Sequence, residues 1–131
     1  MPEAPDYSDL MDRFRAAYVA ADPDLLGAVL GDGFEWHTHT FDPAAPTPTG
    51  RVLQGIDEMI GELAWRKENW TDVRYRGLRE QFAPKLVTQS FTISGVDRGT
   101  PFEVAAIDLY TLDDDDRIIK KDTYWKQPGA R

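Results

Sequence analysis

The chain contains no cysteine and only two histidines, its 15 basic side chains are outnumbered by 23 acidic ones, and no apolar run reaches membrane-spanning length. Each shortage removes a class of function. Without cysteine there is no disulfide framework, no thiolate nucleophile and no thiolate-ligated zinc, and the composition fits a reducing compartment. A net charge of −8 repels phosphate backbones and anionic lipid surfaces, so neither nucleic acid nor a membrane is an expected partner. The opening MPEAPDYSDL is acidic and proline-bearing, unlike the basic and apolar regions of a secretion signal, and a cytoplasmic protein is expected. Also missing are a G-x-S-x-G elbow, a phosphate-cradling glycine loop and a dinucleotide fingerprint, which leaves nucleophile-elbow hydrolases and nucleotide enzymes without support.

What is present suits one core. A length of 131 residues with 41% hydrophobic content, four tryptophans and six phenylalanines predicts a single domain spanning residues 1–131. From Ser8 to Ala21 the spacing of Leu10, Phe14 and Tyr18, flanked by Met11 and Ala17, predicts a helix. Asp22-Pro23 then supplies an N-cap carboxylate followed by a residue whose missing N–H costs nothing, and Leu25, Leu26, Val29 and Leu30 give a second helix a buried face before Gly31 and Gly33. Phe34 to Phe41 alternates as a strand, and Asp42 to Gly50, with Pro43, Pro46 and Pro48, reads as a loop without regular pairing. A third helix is expected from Gly55 to about Lys67, with Ile56, Met59, Ile60, Leu63 and Ala64 on one face. Beyond Trp70 the period changes to two. Val73 to Phe82, Lys85 to Ser94, Pro101 to Leu112 and Arg117 to Lys126 predict an antiparallel meander, and helices in front with strands behind predict an α+β fold whose curved sheet wraps three N-terminal helices.

One residue breaks the pattern of that meander. Phe102, Val104, Ala106, Asp108, Tyr110 and Leu112 share a strand face that is apolar except for the Asp108 carboxyl. A carboxyl in such surroundings is either paired or held as a perturbed acid fit for proton transfer. A second constellation is Glu35-Trp36-His37-Thr38-His39, in which His37 and His39 point the same way on a strand with Glu35 beside them. That triplet is a candidate set of metal ligands. Phe34 and Trp36 make the alternative face the expected inner one, which turns the histidines outward unless a bulge or the cavity rim recruits one of them for proton transfer. Trp65, Arg66 and Trp70 read as an exposed arginine with two tryptophans capping the core, an aromatic entrance being the alternative.

The order of these elements, with RFRAA at residues 13–17, Asp22-Pro23-Asp24, the Gly55-Ile56 helix start and VAAID at Val104 to Asp108, resembles the nuclear transport factor 2-like superfamily, which includes ketosteroid isomerases and SnoaL-type polyketide cyclases. The resemblance implies a cone-shaped, cystatin-like α+β fold with a small-molecule cavity. It matches Asp108 to the oxyanion-hole acid of the isomerases, while Phe14 stands where their helix tyrosine would be and Thr38 where their carboxylate base would be. A SnoaL-like polar pair on the last two strands would be Asp108 with Asp122, an aspartate replacing the family's histidine at the first position. The turn at Asp113 to Asp116 decides that pairing. An even turn sets Lys121 opposite Asp108, with Ile119, Thr123 and Trp125 on the same face, and an odd one sets Asp122 there; the gapless isomerase-like hairpin favours the even turn.

The leading expectation is therefore a cofactor-free, metal-free enzyme acting on a small apolar or cyclic carbonyl or hydroxyl compound by acid/base chemistry of the isomerase, cyclase or dehydratase type. Its catalytic residues would be drawn from Asp108, His37, His39 and Asp122, within a pocket formed by Phe14, Tyr18, Trp36, Thr38, Phe91, Tyr110 and Trp125. The alternatives are a non-catalytic small-molecule-binding or dimerisation domain on the same scaffold, and a metal-dependent enzyme using Glu35, His37 and His39. A homodimer is expected in each case, because the sheet's back face carries Ala105, Ile107 and Leu109.

Overall fold

In the computed structural model, which describes residues 4–41, 43–44 and 47–127, local signals set most boundaries. Helix α1 spans Ser8–Ala20 and buries Leu10, Met11, Phe14 and Ala17. Ala21 closes it in the left-handed region, and Asp22 begins α2 (Pro23–Val29) by accepting from the backbone N–H groups of Asp24 and Leu25. This is the expected N-cap with proline in the first turn. Leu26 and Val29 are buried, whereas Leu25 is exposed.

The chain then enters strand β1 (Leu30–His37) with no intervening loop, so the second helix ends before the two glycines rather than at them. Strand β2 is only three residues, Val52–Gln54, too short for alternation to reveal it in the sequence, and it pairs antiparallel with β1. Helix α3 (Gly55–Asn69) carries Asp57 and Glu58 in its first turn and Arg66 and Lys67 in its last, which suits the helix dipole at both ends. The meander follows as β3 (Trp70–Ala83), β4 (Leu86–Asp97), β5 (Thr100–Leu112) and β6 (Ile118–Trp125). Strand order in the curved sheet is β2-β1-β6-β5-β4-β3, antiparallel except that β1 lies parallel to β6. The expected α+β architecture of three helices against a curved sheet is what the chain forms, with a mixed rather than purely antiparallel sheet.

One core cluster joins α1, α2 and α3 to the inner sheet face through Met11, Phe14, Leu26, Trp36, Met59, Val87, Tyr110 and Ile118, among others. Asp113 organises the last hairpin by accepting from the N–H groups of Asp115 and Arg117 through Oδ1. A register shift between Thr111 and Leu112 accompanies that turn. Leu112 pairs with Ile118 across Asp113–Arg117, so the turn is odd and buries Ile118 where the expected even turn would have buried Ile119, and the shift then restores the parity that turns Lys121 inward. Farther along, Asp108 stands across from Thr123, Tyr110 from Lys121 and Leu109 from Asp122. Lys121 is therefore on the face of Asp108, and Asp122 is on the other.

At the opposite end of β1 the regular strand stops at His37, four residues before the expected Phe41. Thr38 donates from both its N–H and its hydroxyl to the Arg51 carbonyl, and the Arg51 N–H donates to Thr40. Gly50, at φ +71°, lies so close beneath this segment that a Cβ would meet the Thr38 carbonyl oxygen at 2.3 Å. Glycine is the residue that tolerates both conditions. The turn thus holds Thr38 to Thr40 in place and frees His39 from strand alternation. Of the expected loop, Asp42, Ala45 and Pro46 lie outside the described residues.

Candidate functional site

Two constellations lie on the inner side of the sheet, one sealed and one open. The sealed one surrounds Asp108, whose oxygens are all engaged. Lys121 Nζ donates to Oδ2 at 3.0 Å, the Thr123 hydroxyl donates to Oδ1 at 2.7 Å, and the Tyr110 hydroxyl reaches Oδ2 at 3.4 Å. Trp36 Nε1 donates in turn to the Thr123 oxygen at 2.9 Å, linking β1 to β6. The ammonium of Lys121 also bonds the Tyr110 oxygen at 3.1 Å and lies 5.0 to 6.0 Å from the ring centres of Phe14, Tyr18, Trp36 and Tyr110. Side-chain exposure is 6% for Lys121 and 7% for Asp108. Burial pushes the Tyr18 phenol upward, and burial with the nearby Asp108 charge pushes Tyr110 well upward, so both remain protonated donors at neutral pH. Four residues expected to line a pocket, Phe14, Tyr18, Trp36 and Tyr110, instead enclose the protein's own cation.

The open constellation is a cavity of about 1180 Å³ bounded by the His39 segment, α3, the start of β3, the β4–β5 turn and the end of β6. Its walls include Trp65, Trp70, Phe102 and Trp125, with Trp70, Phe102 and Trp125 in mutual ring contact at 5.2 to 5.9 Å. His39 lies flat on Trp125, ring centres 3.5 Å apart and planes 5° from parallel. Desolvation, then the charge of Arg66, lowers the His39 pKa to about 3, so its imidazole is neutral across the physiological range. Arg66 crosses the back of the cavity with its guanidinium 4.8 Å from the Trp36 ring centre and 4.5 Å from that of Trp70. Its Nε donates to Glu62 at 2.8 Å and one terminal nitrogen donates to the Tyr18 oxygen at 3.2 Å. Glu62 is shared, since Arg51 also donates to its other oxygen.

The structure brings only some of the expected site residues together. Asp122 faces away from Asp108, accepts from the Tyr124 hydroxyl at 3.1 Å and pairs with Lys120 at 3.6 Å, because the register sets it across from Leu109. Lys121 forms the expected ion pair with Asp108, but from a position across from Tyr110, because an odd turn and a register shift replace the expected even turn. His37 lies near Glu35, 3.4 Å from Nε2 to the carboxylate, while His39 turns into the cavity wall. The shared outward direction expected of the two histidines fails because β1 ends between them. Among the described residues no group of three or more histidine, aspartate or glutamate side chains is placed to hold a metal ion. Thr38 is occupied by the Arg51 carbonyl, and Phe91 packs edge-on against Tyr75 at 5.5 Å, outside the main cavity. Trp125 lines that cavity. Arg66, expected on the surface, is also placed differently by the structure: its side chain is only 12% exposed. The available signal was its position between Trp65 and Trp70 with Glu62 one helical turn before it.

A SnoaL-like domain model matches residues 11–121. The chain belongs to that family. Similar solved structures agree on the fold. An NTF2-like protein from Burkholderia xenovorans superposes with a TM-score of 0.78 at 16% identity, over 95% of this chain and 92% of that one. A protein of ketosteroid isomerase-like fold from Catenulispora acidiphila, solved with trimethylamine, gives 0.69 at 19% identity over 91% and 86%. A putative SnoaL-like polyketide cyclase from Jannaschia gives 0.64 at 14% over 96% and 91%. No curated protein matches the chain. SnoaL-like membership supports small-molecule binding or catalysis as its general function.

Two outcomes test the geometry. Asp108→Asn leaves the Lys121 ammonium buried without its counter-charge and is expected to cost roughly 3 kcal/mol in urea unfolding, whereas the double variant Asp108→Leu, Lys121→Met should recover most of that loss. A single variant as stable as wild type would show that the pair is not buried in solution. His39 supplies a pH test. The unfolded side chain takes up a proton below 6.5 and the native one only near 3, so acidification across that window favours unfolding. Wild type should lose more stability than His39→Gln between those two pH values, and parallel curves would remove His39 as the cause.

Proposed function

We propose that this SnoaL-like chain binds a small ring-containing compound in the open cavity. The observation that carries the reading is the aromatic wall of Trp65, Trp70, Phe102 and Trp125 around a volume of about 1180 Å³. Flat aromatic surfaces give rings a large apolar contact at little cost in side-chain freedom, and a cavity of this size takes a compound of one to a few rings. The trimethylamine held by the Catenulispora protein is in keeping with a scaffold that takes small organic molecules. The sealed Asp108 pair does not favour that residue as the acid of the reaction, since its oxygens are committed to Lys121, Thr123 and Tyr110.

A specific observation supports catalysis as the second reading. His39 is a neutral imidazole in the cavity wall whose Nδ1 is buried with no hydrogen-bond partner among the described residues. Such a group can exchange a proton with a cyclic carbonyl or hydroxyl compound without any cofactor, which is the isomerase, cyclase or dehydratase type of chemistry.

Thermal unfolding with a panel of cyclic ketones, phenols and aromatic acids tests both. A ligand present at a hundred times its Kd should stabilise the protein by about 2.7 kcal/mol. The shift should shrink in Trp125→Ala, and the absence of any shift across the panel would end the binding reading. If the protein also turns over, wild type should exchange the α-protons of a bound cyclic ketone with deuterated water. His39→Gln should bind that ketone without exchanging them.

The back of the sheet supports a second copy of the chain as a further partner. Ile107 is 44% and Tyr124 54% exposed there, next to Thr92 and Ala105 around a shallow hollow. Apolar side chains gathered on one sheet face favour coverage by a partner. Sedimentation at micromolar concentration is expected to give twice the chain mass, and Ile107→Asp should halve it. A monomer throughout that range removes the dimer.

A further inference from the structure

We propose that the head group recognised in this cavity is an anionic oxygen, as in a ring carboxylate or phenolate, docked on the free edge of Arg66. The inference rests on the small-molecule reading above and names its ligand class. It follows from the polar atoms the cavity wall leaves unmatched. Arg66 commits Nε to Glu62 and one terminal nitrogen to Tyr18, while its second terminal nitrogen bonds no described residue. Arg51 Nε and Trp70 Nε1 are buried and equally without a partner. Guanidinium and indole nitrogens only donate. His39 Nδ1, which donates or accepts according to its tautomer, is also unmatched, but the other spare groups are all donors and call for a ligand that accepts.

Charge leads to the same class. Arg51 and Arg66 share the single carboxylate of Glu62, and of the two guanidiniums only that of Arg66 is largely buried, since the Arg51 side chain is 41% exposed. Glu58 and the Asp97–Arg98 pair complete the charged lining and balance its formal charge, but they are more exposed than Arg66 and Glu62. The Arg66 side chain is 12% exposed and that of Glu62 9%, so solvent screens them weakly. In a chain of net charge −8 a buried guanidinium with a free donor edge draws an anion to one place. The guanidinium is also held still, with Trp36 and Trp70 against it and Glu62 on its Nε, so little freedom is lost when a carboxylate meets it. The ring of such a ligand would then lie along Trp70 and Trp125.

The test compares three probes of one shape by isothermal titration at low and moderate salt: naphthoate, neutral naphthamide and cationic naphthylmethylamine. Wild type should prefer naphthoate, and added salt should weaken that probe most. Arg66→Gln should weaken naphthoate on the order of ten- to a hundredfold while leaving naphthamide within about threefold. Trp70→Phe, which keeps a ring and removes only the indole donor, should weaken naphthoate by several-fold, and it answers the question if Arg66→Gln fails to fold. Equal binding of all three probes, or a preference for the amine, overturns the anionic head group and leaves small-molecule binding standing. Failure of every probe up to millimolar concentration overturns both.

Discussion

The Lys121 ammonium is the constraint on which the rest of this arrangement depends. Enclosed by Phe14, Tyr18, Trp36 and Tyr110, its side chain is 6% exposed, and among the described residues Asp108 and Tyr110 satisfy it. A slip of one residue between β5 and β6 would move Lys121 to the outer face and leave the Asp108 carboxylate buried among aromatic rings, which is far more costly than the loss of a few apolar contacts. The pair therefore contributes less to net stability than to the choice of register. Because Trp36 Nε1 bonds Thr123, and Thr123 bonds Asp108, the same network also fixes the parallel seam between β1 and β6. Three strands are locked by one buried charge pair and its hydrogen bonds.

That lock determines where chemistry can occur. In the isomerase pattern the acid on this strand faces the ligand, but here a lysine from the neighbouring strand occupies its oxygens and an aromatic cage closes over the lysine. The polar groups left for a ligand, those of Arg66, Arg51 and His39, line the open cavity instead. Trp36 is the partition: its ring lies 5.2 Å from the Lys121 ammonium and 4.8 Å from the Arg66 guanidinium. The two cations differ in how they are matched. Lys121 has a carboxylate to itself, and Arg66 shares one with Arg51. The inner centre is complete, and the outer one is left with spare donors.

Much of this was legible in the sequence, and the parts that were not have physical reasons. The helices were marked by apolar spacing and by Asp22-Pro23, and the meander by a sustained period of two, signals that survive tertiary packing because they are what packing requires. Asp108 stood out because a carboxylate on an apolar strand face is rare, but the expected even turn did not form: the turn is odd, which exchanged Ile119 for Ile118, and the register shift beside Thr111 then brought Lys121 to the face of Asp108. His39 was misplaced because alternation was extended past the point where Thr38 leaves the ladder to bond Arg51. That contact is long-range and leaves no local mark. Arg66 was misplaced for a related reason. An arginine late in an amphipathic helix is usually solvated, and only the tertiary approach of Trp36 and Tyr18 turns it into a buried group.

The two misplaced residues are also the ones that give the cavity its chemical character, and this is more than coincidence. Pattern reading detects residues that agree with the burial rule, whereas a binding group has to break that rule by being polar, buried and incompletely matched. Asp108 breaks it too, but its neighbours complete its hydrogen bonds, which turns the anomaly into a structural device. Arg66 and His39 differ because part of each remains unsatisfied: one terminal nitrogen of the guanidinium and Nδ1 of the imidazole have no partner among the described residues. Incomplete satisfaction costs folding free energy unless a ligand supplies the missing contact. Among the described residues the buried atoms left unmatched belong to His37 and to His39, Arg51 and Trp70 of the cavity lining, and none to Asp108 or its partners, so completeness of hydrogen bonding is the physical distinction between the scaffold around Asp108 and the candidate site.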